Sequence, residues 1–507
     1  MFLCCVFFDH KTLFAFWKTE MDVPQILAKL FATDIKRVLF PLRYDESEKK
    51  HVSVVDNITL PPIEDDFGTT VKAKNTPYVE KWVECLFPMN RHMLRSILVG
   101  DSNVGQKALG SGSYAEVVSV HPIFGTFRPT LALKKARIAD GDETAFEDLC
   151  EAAADQNDVQ VWRKVEKLYS PKNNDVIAEP IITCVVSNNR VTRHFVPRFF
   201  GAACDSPMHA LESGNSPNCY MWSECIKPAH RRTSLRVLDT LCRKAKTDAA
   251  AIDDAVNALA ELETLVAHSM AAVAAFAELG VTHNDFHVGN LIFTKCTSDC
   301  QKGRNEFAGA TLPLWQKKYA PQFIDFGLAN INKGMWIGGN TIEAIGLSSE
   351  LLADMDFRTL VLDIVSALPH VAHFLLKCDN SDNIHDPEAR KRYTVLRDAL
   401  QLGLETGSEG GVKGEIKNLY KLFSNNKKLK KLAAFYEVDT KDANKNLYSN
   451  SGRYHLVREL CFRPGQTIIK RRLTSAELLT FLQTYYSDAA AAQDAAAIDG
   501  VSGAADA

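Results

Sequence analysis

The sequence predicts an α+β protein in which a strand-rich stretch precedes a helix-rich one. Two patterns predict it. From about residue 95 to 230, runs such as VVSV, LALKK and HFVPRFF have strand length and apolar or β-branched content. From about 231 to 485, apolar positions recur at helical spacing, most plainly in AIDDAVNALAELETLVAHSMAAVAAFAEL (251–279), which Gly280 ends. The 507 residues amount to about three units at ~150 residues each. Hydrophobic residues make up 46% and charged residues 24%, which excludes collagen-like, coiled-coil and mostly disordered chains.

Charge and cysteine content narrow the partners. Lys and Arg number 59 against 62 Asp and Glu, a formal charge of −3. Nucleic acid is therefore not expected as the main ligand. Thirteen cysteines spread over so long a chain are not a disulfide framework, and a reducing compartment, cytoplasm or nucleus, is expected. Cys296 and Cys300 in CTSDC have no second pair at ligand spacing nearby and read as loop thiols rather than half a metal site. No uninterrupted run of about 18 apolar residues is present, so no membrane partner is expected. The N-terminal MFLCCVFFDHKTLFAFW is broken by Asp9-His10-Lys11 and lacks a basic start and a small-residue cleavage site. It does not read as a signal peptide, and Met21 is a candidate start.

Along the chain, residues 1–94 form an N-terminal extension without recognisable chemistry, broken at Pro61-Pro62. Two long insertions are expected, at 140–178 and 379–460. The second carries the basic run NNKKLKKL, which reads as a solvated face. Residues 486–507 are Ala-rich and low in complexity, as a disordered tail would be. No internal repeat is found.

Four motifs carry chemistry. Gly110-Ser111-Gly112-Ser113-Tyr114-Ala115-Glu116-Val117 is a G-x-G-x-x-A-x-V run. Its glycines would let a hairpin backbone approach phosphate oxygens, and Val117 would pack over a base. Alanine replaces a third glycine with the smallest possible side chain. Leu131-Ala132-Leu133-Lys134 reads as a strand bearing a lysine. Burying that lysine requires a phosphate or carboxylate partner, unless the strand lies at an edge. His283-Asn284-Asp285-Phe286-His287-Val288-Gly289-Asn290 follows the long apolar helix and sets an Asp five residues before an Asn. That suits a carboxylate base beside a metal ligand. Phe323-Ile324-Asp325-Phe326-Gly327, with Asp325 placed 35 residues after Asn290, puts a carboxylate on a turn after an apolar strand, as a magnesium ligand would need.

In this order and spacing the four motifs resemble the eukaryotic-type protein kinase family, over roughly 105–485. The long insertions and unusual ends resemble kinases of large DNA viruses, which implies the cytoplasm or nucleus of a host cell. The resemblance implies a bilobal fold, with a β-rich N-lobe (95–230) and a helical C-lobe (231–485), and ATP and Mg²⁺ in the cleft. It implies that Leu109, the 110–115 loop, Val117 and Ala132 enclose the nucleotide, and that Lys134 holds its α- and β-phosphates. Tyr220-Met221-Trp222-Ser223-Glu224-Cys225 resembles the last N-lobe strand and hinge, with Ser223 as gatekeeper and Glu224 to Ile226 meeting adenine through backbone groups. Asp325 and Asn290 would hold magnesium, and Asp285 would accept the proton of the incoming hydroxyl. The carboxylate partner of Lys134 is expected at Glu179, with Glu151 and Glu166 as alternatives, because Pro180 fits a helix start better than a helix middle. Asp363 resembles the start of the central C-lobe helix. Arg472 resembles the family's late arginine, and Glu350 its carboxylate partner.

The implied activity is transfer of the γ-phosphate of ATP to serine or threonine hydroxyls of a protein substrate. Two departures bear on it. Asn284 stands where the family has the arginine that reads a phosphorylated activation loop, so an enzyme not switched that way is expected. His287 replaces the lysine usual two residues after the catalytic Asp, a pattern shared with small-molecule phosphotransferases. With an unperturbed imidazole pKa of about 6.5, His287 near the γ-phosphate would make the rate rise on mild acidification. A small-molecule phosphotransferase and a nucleotide-binding pseudokinase scaffold are the alternatives. Retention of Lys134, Asp285, Asn290 and Asp325 weighs against the scaffold.

Overall fold

The computed structural model describes short strands within 42–71 and residues 107–111, 115–120, 131–141, 143–154, parts of 160–169, 173–204, 216–226, 233–316, 318–331, 337–339, 353–376, 383–404 and 473–487. The chain divides into two units, Met1–Asn189 with Pro197–Cys225, and Arg190–Val196 with Ile226–Ala507.

The first unit is built on a five-stranded antiparallel sheet. Its strands are β1 (Lys107–Ser111), β2 (Ala115–Val120), β3 (Leu131–Arg137), β4 (Phe199–Cys204) and β5 (Asn218–Glu224), in the order β1-β2-β3-β5-β4. β3 is therefore central, and Lys134 is not an edge-strand lysine. The alternation in LALKK places Leu131 and Leu133, 1% and 5% exposed, on one face, while Lys134 points to the other. The register slips between Ala108 and Gly110, a bulge that leaves Leu109 exposed. Two helices follow β3: α1 (Glu143–Ala154) and α2 (Asp175–Asn188). Both fall in the 140–178 stretch or at its end. α2 is apolar on most sides, with Ile177, Ile181, Ile182, Val185 and Val186 all buried. It begins at Asn174, whose side chain caps the Val176 N–H, and it runs through Pro180. Proline there removes one intrahelical bond, and burial of the surrounding isoleucines and valines offsets the loss.

The second unit is mainly helical. It contains α3 (Thr233–Ala245), α4 (Ile252–Ala258), α5 (Ala260–Glu278), the short strand β6 (Val281–Thr282), β7 (Leu291–Lys295), α6 (Ser298–Ala308) and β8 (Tyr319–Phe323). β9 (Asn330–Ile331), β10 (Ile337–Gly338), α7 (Ala353–Ala367), α8 (Pro369–Leu376), α9 (Pro387–Leu404) and α10 (Ser475–Tyr486) follow. β7 pairs antiparallel with β8, and β6 with β9.

α5 is the core of this unit. Every residue from Glu261 to Phe276 is buried, so the Ala/Leu-rich pattern serves several faces at once. Its length and mean hydropathy of 1.2 equal those of a membrane span, but 89% of that window is covered by the protein itself. It ends at Gly280, whose φ of +70° is the left-handed conformation a helix stop requires. Phe276 packs edge-on against Phe323 and Phe326, and Phe286 stacks on Phe323 with centroids 4.7 Å apart. This aromatic cluster anchors both the loop after β6 and the turn after β8. Within the 379–460 stretch, α9 buries Ala389, Tyr393, Leu396, Leu400 and Leu404 at helical spacing. The NNKKLKKL run, the 486–507 tail beyond Ser487, Glu350, Glu166 and Arg472 lie outside the described residues.

Candidate functional site

In the first unit the site is set by β3. Lys134 pairs across the sheet with Val117 on β2 and Met221 on β5, and Ala132 pairs with Ser119 and Ser223. Strand alternation puts Ala132 and Lys134 on one face, with Val117 and Ser223 beside them. Lys134 Nζ donates to Glu179 Oε1 at 2.6 Å, across 45 residues of sequence. Their side chains are 17% and 7% exposed, so the pair is largely withdrawn from water. Glu151 is exposed on α1.

Asn174 sets the position of α2 against β3, a role not read from the sequence. It is fully buried. Its Nδ2 donates to the carbonyls of Ile138, 2.8 Å, and Leu168, 3.0 Å, while Oδ1 accepts the Val176 N–H. Ile138 directly follows β3, so one amide ties the strand bearing Lys134 to the helix bearing Glu179. Gly110 and Ser111 end β1, and Ala115 opens β2, opposite Ala136. Gly112, Ser113 and Tyr114 lie outside the described residues. Glu224 ends β5 and is exposed, and Ile226 follows it half-buried. The Glu224 N–H already donates to Arg198 O at 2.8 Å, so any backbone contact of Glu224 with a ligand falls to its carbonyl.

In the second unit the site is the loop from His283 to Asn290, held from several sides. The N–H groups of His283 and Asn284 donate to the two carboxylate oxygens of Asp356 at 2.7 and 2.9 Å, and Asp356 is 2% exposed. Asn284 has φ +64°, the left-handed conformation that asparagine tolerates better than most residues. Its Nδ2 donates to Leu328 O at 2.9 Å. His283 Nε2 lies 3.1 Å from Ile324 O, which fixes Nε2 as the protonated nitrogen. The Val288 N–H donates to Asp363 at 3.0 Å.

Within the loop the side chains are oriented as well. Asn290 Nδ2 donates to Asp285 O at 3.0 Å and to Asp285 Oδ2 at 2.9 Å. The amide is thereby oriented, with its oxygen turned away from Asp285. His287 Nδ1 accepts the Gly289 N–H at 2.9 Å, so the ring proton sits on Nε2, which faces Asp285 Oδ2 at 3.5 Å. His287 thus caps the short turn Val288–Asn290 and addresses the carboxylate of Asp285. The Ile324 N–H donates to Asn290 O at 3.0 Å. The next residue, Asp325, is exposed and holds φ +68° on the turn after β8. Phe326, 2% exposed, packs on His283 with centroids 4.7 Å apart. Asp285, His287, Asn290 and Asp325 are therefore borne on two segments joined by backbone and side-chain hydrogen bonds.

Asp363, expected at the start of the central helix, lies in the middle of α7. Asp356 occupies the first turn and carries the loop. An acidic residue near a helix start is common for dipole reasons alone, so nothing local marks Asp356 as the anchor of a loop 73 residues away.

No protein-family profile and no curated protein matches the chain. Among solved structures it is similar to the crystal structure of a kinase domain, at 11% identity and a TM-score of 0.24, over 75% of this chain and 90% of that one. At that score the likeness adds nothing to the geometry above.

Proposed function

We propose that the chain is a phosphotransferase of the protein-kinase type, transferring the γ-phosphate of Mg-ATP to serine or threonine hydroxyls of proteins. In this reading the first unit acts as the N-lobe and the second as the C-lobe. The observation that carries it is the Asp285–Asn290 pair, joined by a 2.9 Å hydrogen bond and tied through Asn290 O to the residue before Asp325. An acceptor carboxylate bonded to an oriented amide, with a second carboxylate on a segment hydrogen-bonded to the same loop, is the equipment of in-line phosphoryl transfer. A scaffold that only binds nucleotide has no chemical use for the first of these. The long insertions and the absence of a tyrosine-kinase-like catalytic loop support a viral-type serine/threonine enzyme, acting in a reducing compartment of a host cell.

The residues fit magnesium by their chemistry. The Asn290 amide oxygen and the Asp325 carboxylate are hard oxygen donors, and Mg²⁺ takes few protein ligands when phosphates and water supply the rest. When bound, the ion neutralises charge between the β- and γ-phosphates. Lys134, steadied by Glu179, pairs with the α- and β-phosphates. Ala132 and Val117 pack on the base, and the 110–115 backbone covers the phosphates. Asp285 accepts a hydrogen bond from the incoming hydroxyl, orients it and takes its proton. His287 Nε2, 3.5 Å from Asp285 Oδ2, sits against that carboxylate and limits its rotation. Positioning and electrostatics supply the catalysis, without a covalent intermediate.

The test is transfer of labelled γ-phosphate from Mg-ATP to a mixed protein panel and to the chain itself, with Asp285→Asn alongside. Label on serine or threonine that disappears in the variant is expected. ATP binding with no labelled protein would refute the protein-kinase reading. The same assay on small hydroxyl and amino compounds then divides a small-molecule phosphotransferase from a pseudokinase scaffold.

A further inference from the structure

β7 and β8 pair antiparallel, and such a pair can be joined by a turn of about two residues. Residues 296–318 join them instead, and they carry α6. This helix has no apolar stripe to bury, since Arg304 and Ala308 are its buried residues. It is nevertheless well fixed. Thr297 caps its start, accepting the Cys300 N–H at 3.2 Å. At its other end Gln483 Nε2 on α10 donates to Ala308 O at 3.2 Å, and the Thr311 N–H donates to Tyr486 O at 2.9 Å.

α6 grips the short turn Thr192–His194 and Phe195 after it, which belong to the same unit. Arg304, 1% exposed, donates from Nε to His194 O at 2.7 Å, and its guanidinium lies 4.9 Å from the centre of the Phe195 ring. The Cys300 thiol donates to the same carbonyl at 3.1 Å. Arg304 Nη1 donates to His268 Nδ1 on α5 at 3.0 Å, and His268 Nε2 faces Pro313 O at 2.9 Å. Burying a guanidinium is costly, and these bonds offset the cost. Gly303 serves the same contact. A Cβ there would lie 2.2 Å from His194 Nε2 and 2.4 Å from its Cδ2, so only glycine lets that ring rest against the helix as it does. The turn in its own right meets the site. The Phe195 N–H closes it on Thr192 O at 2.9 Å, and Phe195 O accepts the Phe323 N–H at 2.9 Å. Phe323 is fully buried at the end of β8, and β7 and β8 form a sheet of two strands, so this N–H needs an acceptor from outside the sheet. The next N–H, of Ile324, goes to Asn290 O at 3.0 Å, and Asp325 follows.

We infer that α6 braces the turn bearing Asp325, with Gly303 and Arg304 as positioning residues that hold Phe195 O against the Phe323 N–H. The task given to Asp325 rests on the phosphotransferase reading, whereas the brace rests on the contacts alone. Neither Gly303 nor Arg304 touches a reacting group. Arg304 fixes the His194 carbonyl, Gly303 gives the His194 ring its seat, and Phe195 passes the restraint to the backbone two residues before Asp325. The chain thus enters the Asp325 turn with both preceding amides bonded, one to the turn that α6 grips and one to Asn290.

The experiment is hydrogen exchange of the full-length protein, read at the Phe323 and Ile324 amides and, as an internal control, at Val395–Ala399 in the buried part of α9. Arg304→Met keeps an apolar stem and removes both donors. It should speed exchange at Phe323 and Ile324 at least about ten-fold more than at α9. Arg304→Lys, which retains one donor for His194 O, should fall between. A rise of equal size at α9, or none at Phe323, overturns the inference, because Arg304 would then serve global stability or nothing. If Arg304→Met does not fold, Gly303→Ala decides. Alanine favours the helix itself, so an unbraced α6 would gain from it. The brace predicts faster exchange at Phe323 instead, returning to the parent rate in Gly303→Ala with His194→Ala, where the ring that the Cβ meets is gone. No rise in the single variant, or the same rise in the double, overturns it. Phosphotransfer is followed alongside, and its half-maximal point should shift to higher Mg²⁺ in Arg304→Met. A parent protein without phosphotransfer refutes the functional reading, and the exchange rates still decide the brace.

Discussion

Replacing Asp356 by alanine tests how the site loop is held. The carboxylate accepts the N–H groups of His283 and Asn284 at 2.7 and 2.9 Å, and both bonds are buried. Alanine leaves two buried donors without an acceptor, and each unsatisfied donor costs roughly 1–3 kcal/mol. The sum is about 4 kcal/mol, with a spread of about 2 either way. Asparagine keeps one acceptor oxygen and turns a donor toward the second N–H, so Asp356→Asn should cost about half as much. Native-state hydrogen exchange at the His283 and Asn284 amides reads the effect directly. At 1.4 kcal/mol per ten-fold, 4 kcal/mol is roughly a thousand-fold faster exchange. Asn284 holds φ +64°, so once released the loop relaxes away from that conformation. On the proposed function, phosphotransfer should then fall in both variants, more in alanine than in asparagine, through kcat rather than nucleotide binding. Exchange at these amides within about two-fold of the parent in Asp356→Ala would refute the reasoning, because surface substitutions already vary by ~0.5 kcal/mol.

Three further outcomes are expected. Asn174→Ala removes the amide tying Ile138 and Leu168 to the start of α2 and strands two buried carbonyls, costing about 2–4 kcal/mol in urea unfolding and loosening the Lys134–Glu179 pair; a change under ~0.5 kcal/mol would contradict it. His268 on α5, whose Nε2 donates to Pro313 O at 2.9 Å and whose Nδ1 accepts from Arg304 at 3.0 Å, is held neutral by burial and by the Arg304 charge. Above pH ~6.5 folded and unfolded chains both carry it neutral, and as pH falls below that the unfolded chain takes a proton the folded one refuses, so stability drops by up to about 1.4 kcal/mol per pH unit. His268→Gln, which preserves both hydrogen bonds, should flatten that part of the unfolding profile between pH 7 and 5, and equal slopes would defeat the assignment. His287→Asn keeps an acceptor for the Gly289 N–H whereas His287→Ala does not, so thermal unfolding should show alanine less stable than asparagine by about 1 kcal/mol.

Local pattern carried some features of the site and was silent on others. The alternation in LALKK made β3 legible as a strand with Lys134 opposite its leucines. That β3 is central depends on β5, some eighty residues on, pairing with it, and no local signal states that. Glu179 was one of three candidate carboxylates, because Pro180 argues against a helix middle. α2 tolerates it because the neighbouring isoleucines and valines are fully buried. The 251–279 pattern announced a helix, and its alanine content accounts for burial on nearly every side. Asp356 and Asn174 were not legible. Both act through backbone groups distant in sequence, and a carboxylate or amide at a helix start has an ordinary local explanation in capping and dipole effects.

Asn284 brings these strands together. In the kinase family that the motifs resemble, an arginine at this position responds to a phosphorylated activation loop, and an asparagine has no charge with which to do so. The structure gives the position another task. The backbone N–H of Asn284 goes to Asp356, its left-handed φ turns the chain toward Asp285, and its side chain reaches Leu328, three residues past Asp325. With the His283–Ile324 contact this brackets Asp325 on both sides by neutral hydrogen bonds within one unit. Such bonds need no added phosphate to form, and each contributes only about 0.5–1.5 kcal/mol net, so several are needed where one charge-assisted contact would serve. The loop is held by the Asp356 and Asp363 carboxylates of α7 and by these neutral bonds to the turn after β8. All of these bonds form from groups that the second unit itself supplies.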